Sequence, residues 1–191
     1  MCGLRMNEGV QYETEGAEPR GRTTIATAMP TLRLVTLTSA DATTYYELVD
    51  RNRKHLTQHG DWTDLGEATP ESVIESLHNP DGRDARFGIW LDGRLIGRAD
   101  LNARTPGNVV LSYWLGHEFT GEGYATAACK ALIAYGKAEL GATNVYAGVT
   151  KGNTKSEALL GRLGFRAIED RGAYTLFRLP LMEGAGSFSV C

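Results

Sequence analysis

The sequence predicts an α/β fold built on a mixed, mostly antiparallel central sheet flanked by helices, and three observations carry that prediction. Residues 86–91 and 94–99 are strand-like runs joined by a two-residue Asp92-Gly93 turn, the signature of a hairpin. The apolar run 109–115 feeds a glycine turn, Thr120-Gly121-Glu122-Gly123, that opens a long helical pattern. Residues 166–169 and 175–179 read as a closing hairpin, so the order is β-α-α-β-β-β-α-β-α-β-β.

Each element has a local reason. Residues 32–35 alternate as a first strand, and Ser39 or Asp41 is the expected N-cap of the first helix. Ala42, Tyr45, Leu48, Val49, Asn52 and Leu56 fall on one face of that helix. Thr69-Pro70-Glu71 combines an N-cap, a helix-start proline and a first-turn acid, which predicts a second helix to Leu77, stopped by Asn79-Pro80. In the long helix Ala125, Cys129, Leu132, Ile133, Gly136 and Leu140 form the sheet-facing stripe, and Gly141 is its αL cap. A strand over 144–149 and a short helix over 156–163 precede the final hairpin.

With 191 residues and 42% hydrophobic content, the chain suits one globular domain, placed at residues 30–182. Residues 1–29 lack periodicity and an apolar signal region, and are expected to be a disordered extension; residues 183–191 read as a flexible tail. A net charge of −3 gives no reason to expect a nucleic-acid or anionic-membrane partner. No apolar run approaches the roughly 20 residues that span a bilayer. Three cysteines, two at the extreme ends, make no disulfide framework, and the expected location is cytoplasmic. His55 has no Cys or His neighbours at ligand spacing, so no metal is expected.

The glycine turn between a strand and a helix is where the chemistry starts. Free backbone N–H groups with the positive end of a helix behind them hold phosphate oxygens without a basic side chain. The P-loop pattern fails, because no Lys follows either glycine. The dinucleotide fingerprint fails too: Thr126 stands where a third Gly or Ala belongs, and residues 145–149 offer no acid. An ordinary strand–helix connection remains the alternative. A second motif follows it, Asn153-Thr154-Lys155-Ser156, an apolar helix, then Gly164-Phe165.

Together these two motifs resemble the GNAT N-acetyltransferase superfamily, whose cofactor loop reads Gln/Arg-x-x-Gly-x-Gly/Ala. The order Tyr113-Trp114-Leu115, loop, Asn153-x-x-Ser156, Gly164-Phe165 is similar to its ribosomal-protein N-terminal acetyltransferase (RimJ/RimL-like) branch. The resemblance runs from about Leu32 to about Leu181. It implies a splayed strand pair that takes the pantetheine arm of acetyl-CoA at Trp114, Leu115 and Gly116. It implies that Gly121, Glu122, Gly123, Tyr124, Ala125 and Thr126 take the pyrophosphate. Asn153 would tie the loop to the cofactor arm. Lys155 would either reach a CoA phosphate or sit exposed. Ser156 would either cap the short helix or protonate the leaving thiolate, with Tyr124 a second candidate for the latter. Thr120 departs from the pattern, standing where Gln or Arg is usual, and Glu122 places an acid at a phosphate loop.

The resemblance also implies a base, and the position where relatives carry Glu is Val110 here. Asp100 is the first replacement, then Glu118 and His117; each also reads as a solvated turn residue, and a water relay without a base is a further option. On the acceptor side Arg53, His55 and Trp62 match the branch's Asn-Arg-x-His-Leu…Trp segment, and the basic stretch from Arg51 to His59 reads either as a solvated face or as a site for an acidic acceptor. The implied activity is acetylation of a primary amine, first of all a peptide or protein N-terminal α-amine, by a monomer or homodimer. The alternatives are a small amine (antibiotic, polyamine or amino-acid derivative) as acceptor, or an acyl-CoA sensor without turnover.

Overall fold

The computed structural model describes residues 22–77 and 85–181. The helix stop at Asn79-Pro80, the tail 183–191, Cys2 and Cys191 lie outside the described residues. The elements run β1 (Thr24–Ala26), β2 (Leu32–Thr36), α1 (Ala42–Leu56), α2 (Thr63–Gly66), α3 (Pro70–Leu77), β3 (Ala85–Leu91), β4 (Arg94–Thr105), β5 (Asn108–Leu115), α4 (Tyr124–Glu139), β6 (Asn144–Thr150), α5 (Thr154–Arg162), β7 (Arg166–Asp170) and β8 (Tyr174–Pro180).

The strands form one sheet in the order β1-β2-β3-β4-β5-β6-β8-β7. Every neighbouring pair is antiparallel except β5 and β6. Those two pair only from Asn108 to Val110 against Asn144 to Tyr146. Beyond that, β5 stays with β4 through Leu115 and β6 stays with β8 through Thr150. The two strands therefore splay after Val110, leaving one backbone edge of residues 111–115 without a strand partner.

Helices cover both faces of the sheet. On one, Ala128, Cys129, Leu132 and Ile133 of α4 pack with Leu34, Ile89, Leu101, Val109 and Val145. On the other, Tyr45, Leu48 and Val49 of α1 and Val73 of α3 pack with Leu95 and Trp114. Cys129 is fully buried, and that burial pushes its thiol pKa well up, as for a structural thiol. Gly141, at φ 60°, follows the C-cap residue Leu140 of α4 in the left-handed conformation the sequence predicts.

Three local expectations change. Asp41 takes the N-cap position of α1, as the sequence predicts, but without a side-chain cap bond; instead its Oδ2 accepts from the backbone N and Oγ1 of Thr38 (2.9 and 3.1 Å) and from Arg22 Nη2 (2.8 Å). α5 starts at Thr154 rather than at residue 156, because Asn153 caps it. The stretch expected to be a disordered extension contains β1, which pairs with β2 through Thr24, Ile25 and Ala26. Ile25 and Met29 also pack on the main core. Removing residues 1–28 is therefore expected to lower the melting temperature by several degrees, read by circular dichroism. An unchanged melting temperature would show that β1 contributes nothing to stability.

Candidate active site

The splay between β5 and β6 opens into a cleft of about 1220 Å³. Its walls are residues 110–115 of β5, the loop 119–121 with the start of α4, the first turns of α5, and residues 55–62 between α1 and α2. Ala28 and Met29, from the segment after β1, also line it. None of the lining residues comes from the final hairpin, β7 and β8.

The glycine turn has the geometry of an anion cradle. Gly121 and Gly123 sit at φ 98° and 83°, where only glycine rests without strain. Gly123 is the N-cap of α4 and no side chain caps that helix, so the first-turn amides of Tyr124, Ala125 and Thr126 lack intrahelical partners. Lys130 and Arg162 stand on the same cleft, and Arg162 Nη2 approaches Thr126 Oγ1 at 3.5 Å. Glu122 is exposed and does not line the cleft, so its carboxylate stands away from the glycine turn's anion cradle.

Strand β5 presents its other edge to the gap. The N–H of Gly116 is spent on Ile96 O at 2.8 Å, so Gly116 belongs to the pairing with β4 and does not line the cleft, against expectation. By strand alternation Tyr113 and Leu115 point their backbone groups into the gap, an edge on which an extended amide-bearing chain could pair. Trp114 lines the cleft, yet most of its ring is buried against Tyr45, with centroids 5.8 Å apart. The turn after β5 is fixed by buried Asn52: its Oδ1 accepts from His117 N (2.9 Å) while its Nδ2 donates to Leu48 O (2.8 Å).

Asn153 acts through the helix. Its Oδ1 accepts from Ser156 N at 3.2 Å, so the cap is Asn153 and the Ser156 hydroxyl is released from that role. Ser156 lines the cleft beside Tyr113. The Tyr113 hydroxyl is buried without a hydrogen-bond partner of ordinary geometry, and burial pushes its pKa well up. A buried orphan hydroxyl facing a cleft marks a place where a ligand supplies the partner. Tyr124, the second candidate for protonating the thiolate, lines the cleft as the first residue of α4.

Two further expected residues fall elsewhere. Asp100 is 3% exposed, does not line the cleft, and is ion-paired with Arg98 (2.8 Å). Arg98 Nη1 also donates to Tyr45 Oη at 3.1 Å, which makes a buried network under α1. Arg53 is a clamp and not a cleft residue: its guanidinium donates to Gly66 O (2.8 Å), Ala68 O (2.7 Å) and Leu65 O (3.2 Å), and its Nε to Asp50 (2.8 Å). A fork with several donors suits three carbonyls at the end of a short helix, which residue type alone does not reveal.

His55 and Trp62 do line the cleft, with His59 and Lys155. The His55 ring meets the His117 ring edge-on at 5.0 Å. Burial first, then the positive charges of His117, Lys155 and His59, pull the His55 pKa below its usual value. Trp62 holds a left-handed backbone, φ 52° and ψ 37°, a conformation that costs a tryptophan about 1–2 kcal/mol. Lys155 thus stands near the acceptor-side histidine as well as on the cofactor cleft. Among the described residues no cluster of His, Cys, Asp or Glu could hold a metal ion, and no helix is long and apolar enough to cross a membrane.

Gly123→Val places a β-branched side chain at φ 83° and forces the loop out of its cradle. CoA affinity is expected to fall at least tenfold, about 1.4 kcal/mol, by calorimetry. Unchanged affinity would remove the loop from the cofactor site.

The comparisons with known proteins agree with this geometry. Residues 31–166 match the family model described as Acetyltransferase (GNAT) domain. Bacillus subtilis (strain 168) YdaF, provisionally named a ribosomal N-acetyltransferase, is 33% identical over 146 residues, 71% of this chain and 76% of that one. The fold matches RimL, a ribosomal L7/L12 α-N-protein acetyltransferase solved with coenzyme A, at TM-score 0.74 and 19% identity, over 83% of this chain and 98% of that one. It also matches the microcin C7 self-immunity acetyltransferase MccE, solved with acetyl-CoA and AMP, at TM-score 0.69 and 18% identity, over 80% and 94%. The chain belongs to the GNAT acetyltransferase family and is an acetyl-CoA-dependent N-acetyltransferase.

Proposed function

We propose that the acceptor is the α-amine of a peptide or protein N-terminus. One observation carries this reading: neither strand position at which the sequence looks for a strong base supplies one. Val110 stands where the family resemblance implies a Glu, and Asp100 is committed to Arg98. An α-amine titrates near pH ~8 and a lysine side chain near ~10.4, so the α-amine reaches its reactive form with little help. The relatives named ribosomal N-acetyltransferase and α-N-protein acetyltransferase support the same class of acceptor.

Acetyl-CoA supplies the acetyl group as a thioester. The first-turn amides of α4 and the glycine turn bind pyrophosphate oxygens, with Lys130 and Arg162 as nearby cations. The cleft-facing edges of Tyr113 and Leu115 hold the pantetheine amides and orient the carbonyl, with the Leu115 N–H as its donor and the Leu115 carbonyl meeting the His55 ring. Ser156 and Tyr113 hold hydroxyl protons where the sulfur leaves. The raised Tyr113 pKa keeps that hydroxyl a donor across the working range.

The test is CoA-thiol release from acetyl-CoA over a panel of peptides with varied N-terminal residues, N-blocked lysine peptides, polyamines and amino sugars. Release with free N-terminal peptides above the other classes is the expected result. Release confined to polyamines or amino sugars would transfer the site to small amines. Silence on every amine with acetyl-CoA still bound would make the protein a sensor.

A further inference from the structure

The acetyltransferase reading leaves one cleft residue without a role, and it has the chemistry an amine needs. Asp61 is the one carboxylate among the described residues that line the cleft; the ionisable groups of the other sign there are His55, His59, Lys130, Lys155 and Arg162. It belongs to the acceptor-side segment, next to the strained Trp62. Its carboxylate reaches across to the far wall, where Oδ1 accepts from the Thr150 hydroxyl at the end of β6 and Oδ2 accepts from Asn153 Nδ2 at 3.3 Å. The same Asn153 holds Ser156 N, so Asp61 is tied through one residue to the serine at the sulfur end. Its charge is also near enough to disfavour ionisation of Tyr113.

A carboxylate has room for about four hydrogen bonds, and these two leave acceptor capacity facing the cleft. We propose that Asp61 receives the attacking amine, resting on the acetyltransferase activity of this site. Its free lone pair accepts a hydrogen bond from the amine N–H and aims the nitrogen lone pair at the acyl carbon. As the C–N bond forms, the nitrogen becomes far more acidic than the free ammonium, and its proton passes to the Asp61 oxygen. The C–S electron pair goes to sulfur, which takes a proton from the Ser156 or Tyr113 hydroxyl; the proton held by Asp61, passed through solvent, then restores that hydroxyl. The Thr150 and Asn153 bonds fix the carboxylate so that this transfer needs no rearrangement. An aspartate suits an acceptor whose amine sheds its proton readily, whereas a lysine side chain would ask for a stronger base.

The test is Asp61→Asn, which keeps the shape and the Thr150 bond but removes the charge and the basicity. With a hexapeptide carrying N-terminal alanine, kcat/KM for the peptide is expected to fall about 100-fold, the usual scale for a lost proton-transfer group, with acetyl-CoA affinity unchanged by calorimetry. Wild-type kcat/KM in this variant would overturn the proposal. Joint loss of acetyl-CoA affinity would also overturn it, because Asp61 would then be a strut for the cofactor wall. A turnover-free arm measures binding of the same peptide and its N-acetylated form to CoA-loaded protein. Wild type should prefer the free amine and Asp61→Asn should lose that preference. Equal affinities in wild type would overturn the proposal, and a wild type silent on every amine would refute the acceptor reading while leaving this arm to decide Asp61.

Discussion

Asp100→Ala is expected to lower the melting temperature by roughly 6–20 °C, because breaking a buried ion pair costs about 3–5 kcal/mol and each kcal/mol moves a chain of this size by about 2–4 °C. The reason lies with the partner. Arg98 is almost as buried as Asp100, and Asp100 and Tyr45 hold its guanidinium charged against the opposing effect of burial. Without Asp100 that charge is stranded beneath α1, beside Tyr45, whose own pKa burial raises. Replacing both partners at once, Arg98→Met with Asp100→Leu, should recover most of the loss, since an apolar pair of similar size is often neutral. A normal melting temperature with abolished turnover would instead restore Asp100 as the base.

Ser156→Ala is expected to lower kcat by about 100-fold with little change in KM for acetyl-CoA, the pattern of a group that acts on the leaving sulfur. Tyr113→Phe should lower kcat by about tenfold, and the double substitution should cost less than the product of the two, since the hydroxyls share one task. Thermal melts separate this role from capping. Removing a serine N-cap typically costs ~1 kcal/mol, whereas here Asn153 holds the helix and Ser156→Ala should leave stability alone. Tyr113→Phe should be neutral or stabilising, because it removes a buried hydroxyl without a hydrogen-bond partner of ordinary geometry. Full turnover in Ser156→Ala would leave the serine without a part in the reaction.

How far the sequence reached depended on whether a role was local. The Asp92-Gly93 turn, the α4 stripe, the Gly141 cap and the glycine loop each depend on neighbours within a few residues, and each was readable. So was the Thr69 cap of α3, where Thr69 Oγ1 accepts from Ser72 N at 3.2 Å. Arg53 and Asn153 form bonds set by residues distant in sequence or by helix phase, whereas the partner of Asp100 lies close to it in sequence. Arg98 lies two residues from Asp100, so both side chains point to one strand face, a period-2 signal that could have flagged the pair. Arg53 needed the position of residues 65–68 under α1, which no local pattern supplies. Asn153 and Ser156 exchanged roles over a two-residue shift in a helix start, the least readable feature of an element. Tyr113 and Asp61 were missed as site residues. The first sits in an apolar run that reads as plain strand; the second sits in a polar turn and contacts residues about ninety positions later.

The measurement that tests the account most directly maps the acetyl group on a peptide that carries both a free N-terminal α-amine and an internal lysine. After incubation with enzyme and acetyl-CoA, fragment mass spectrometry would locate the modification. The account predicts acetylation of the first residue's α-amine with the lysine untouched. Acetylation of the lysine, or of neither amine while a small-molecule amine in the same mixture is consumed, would contradict it.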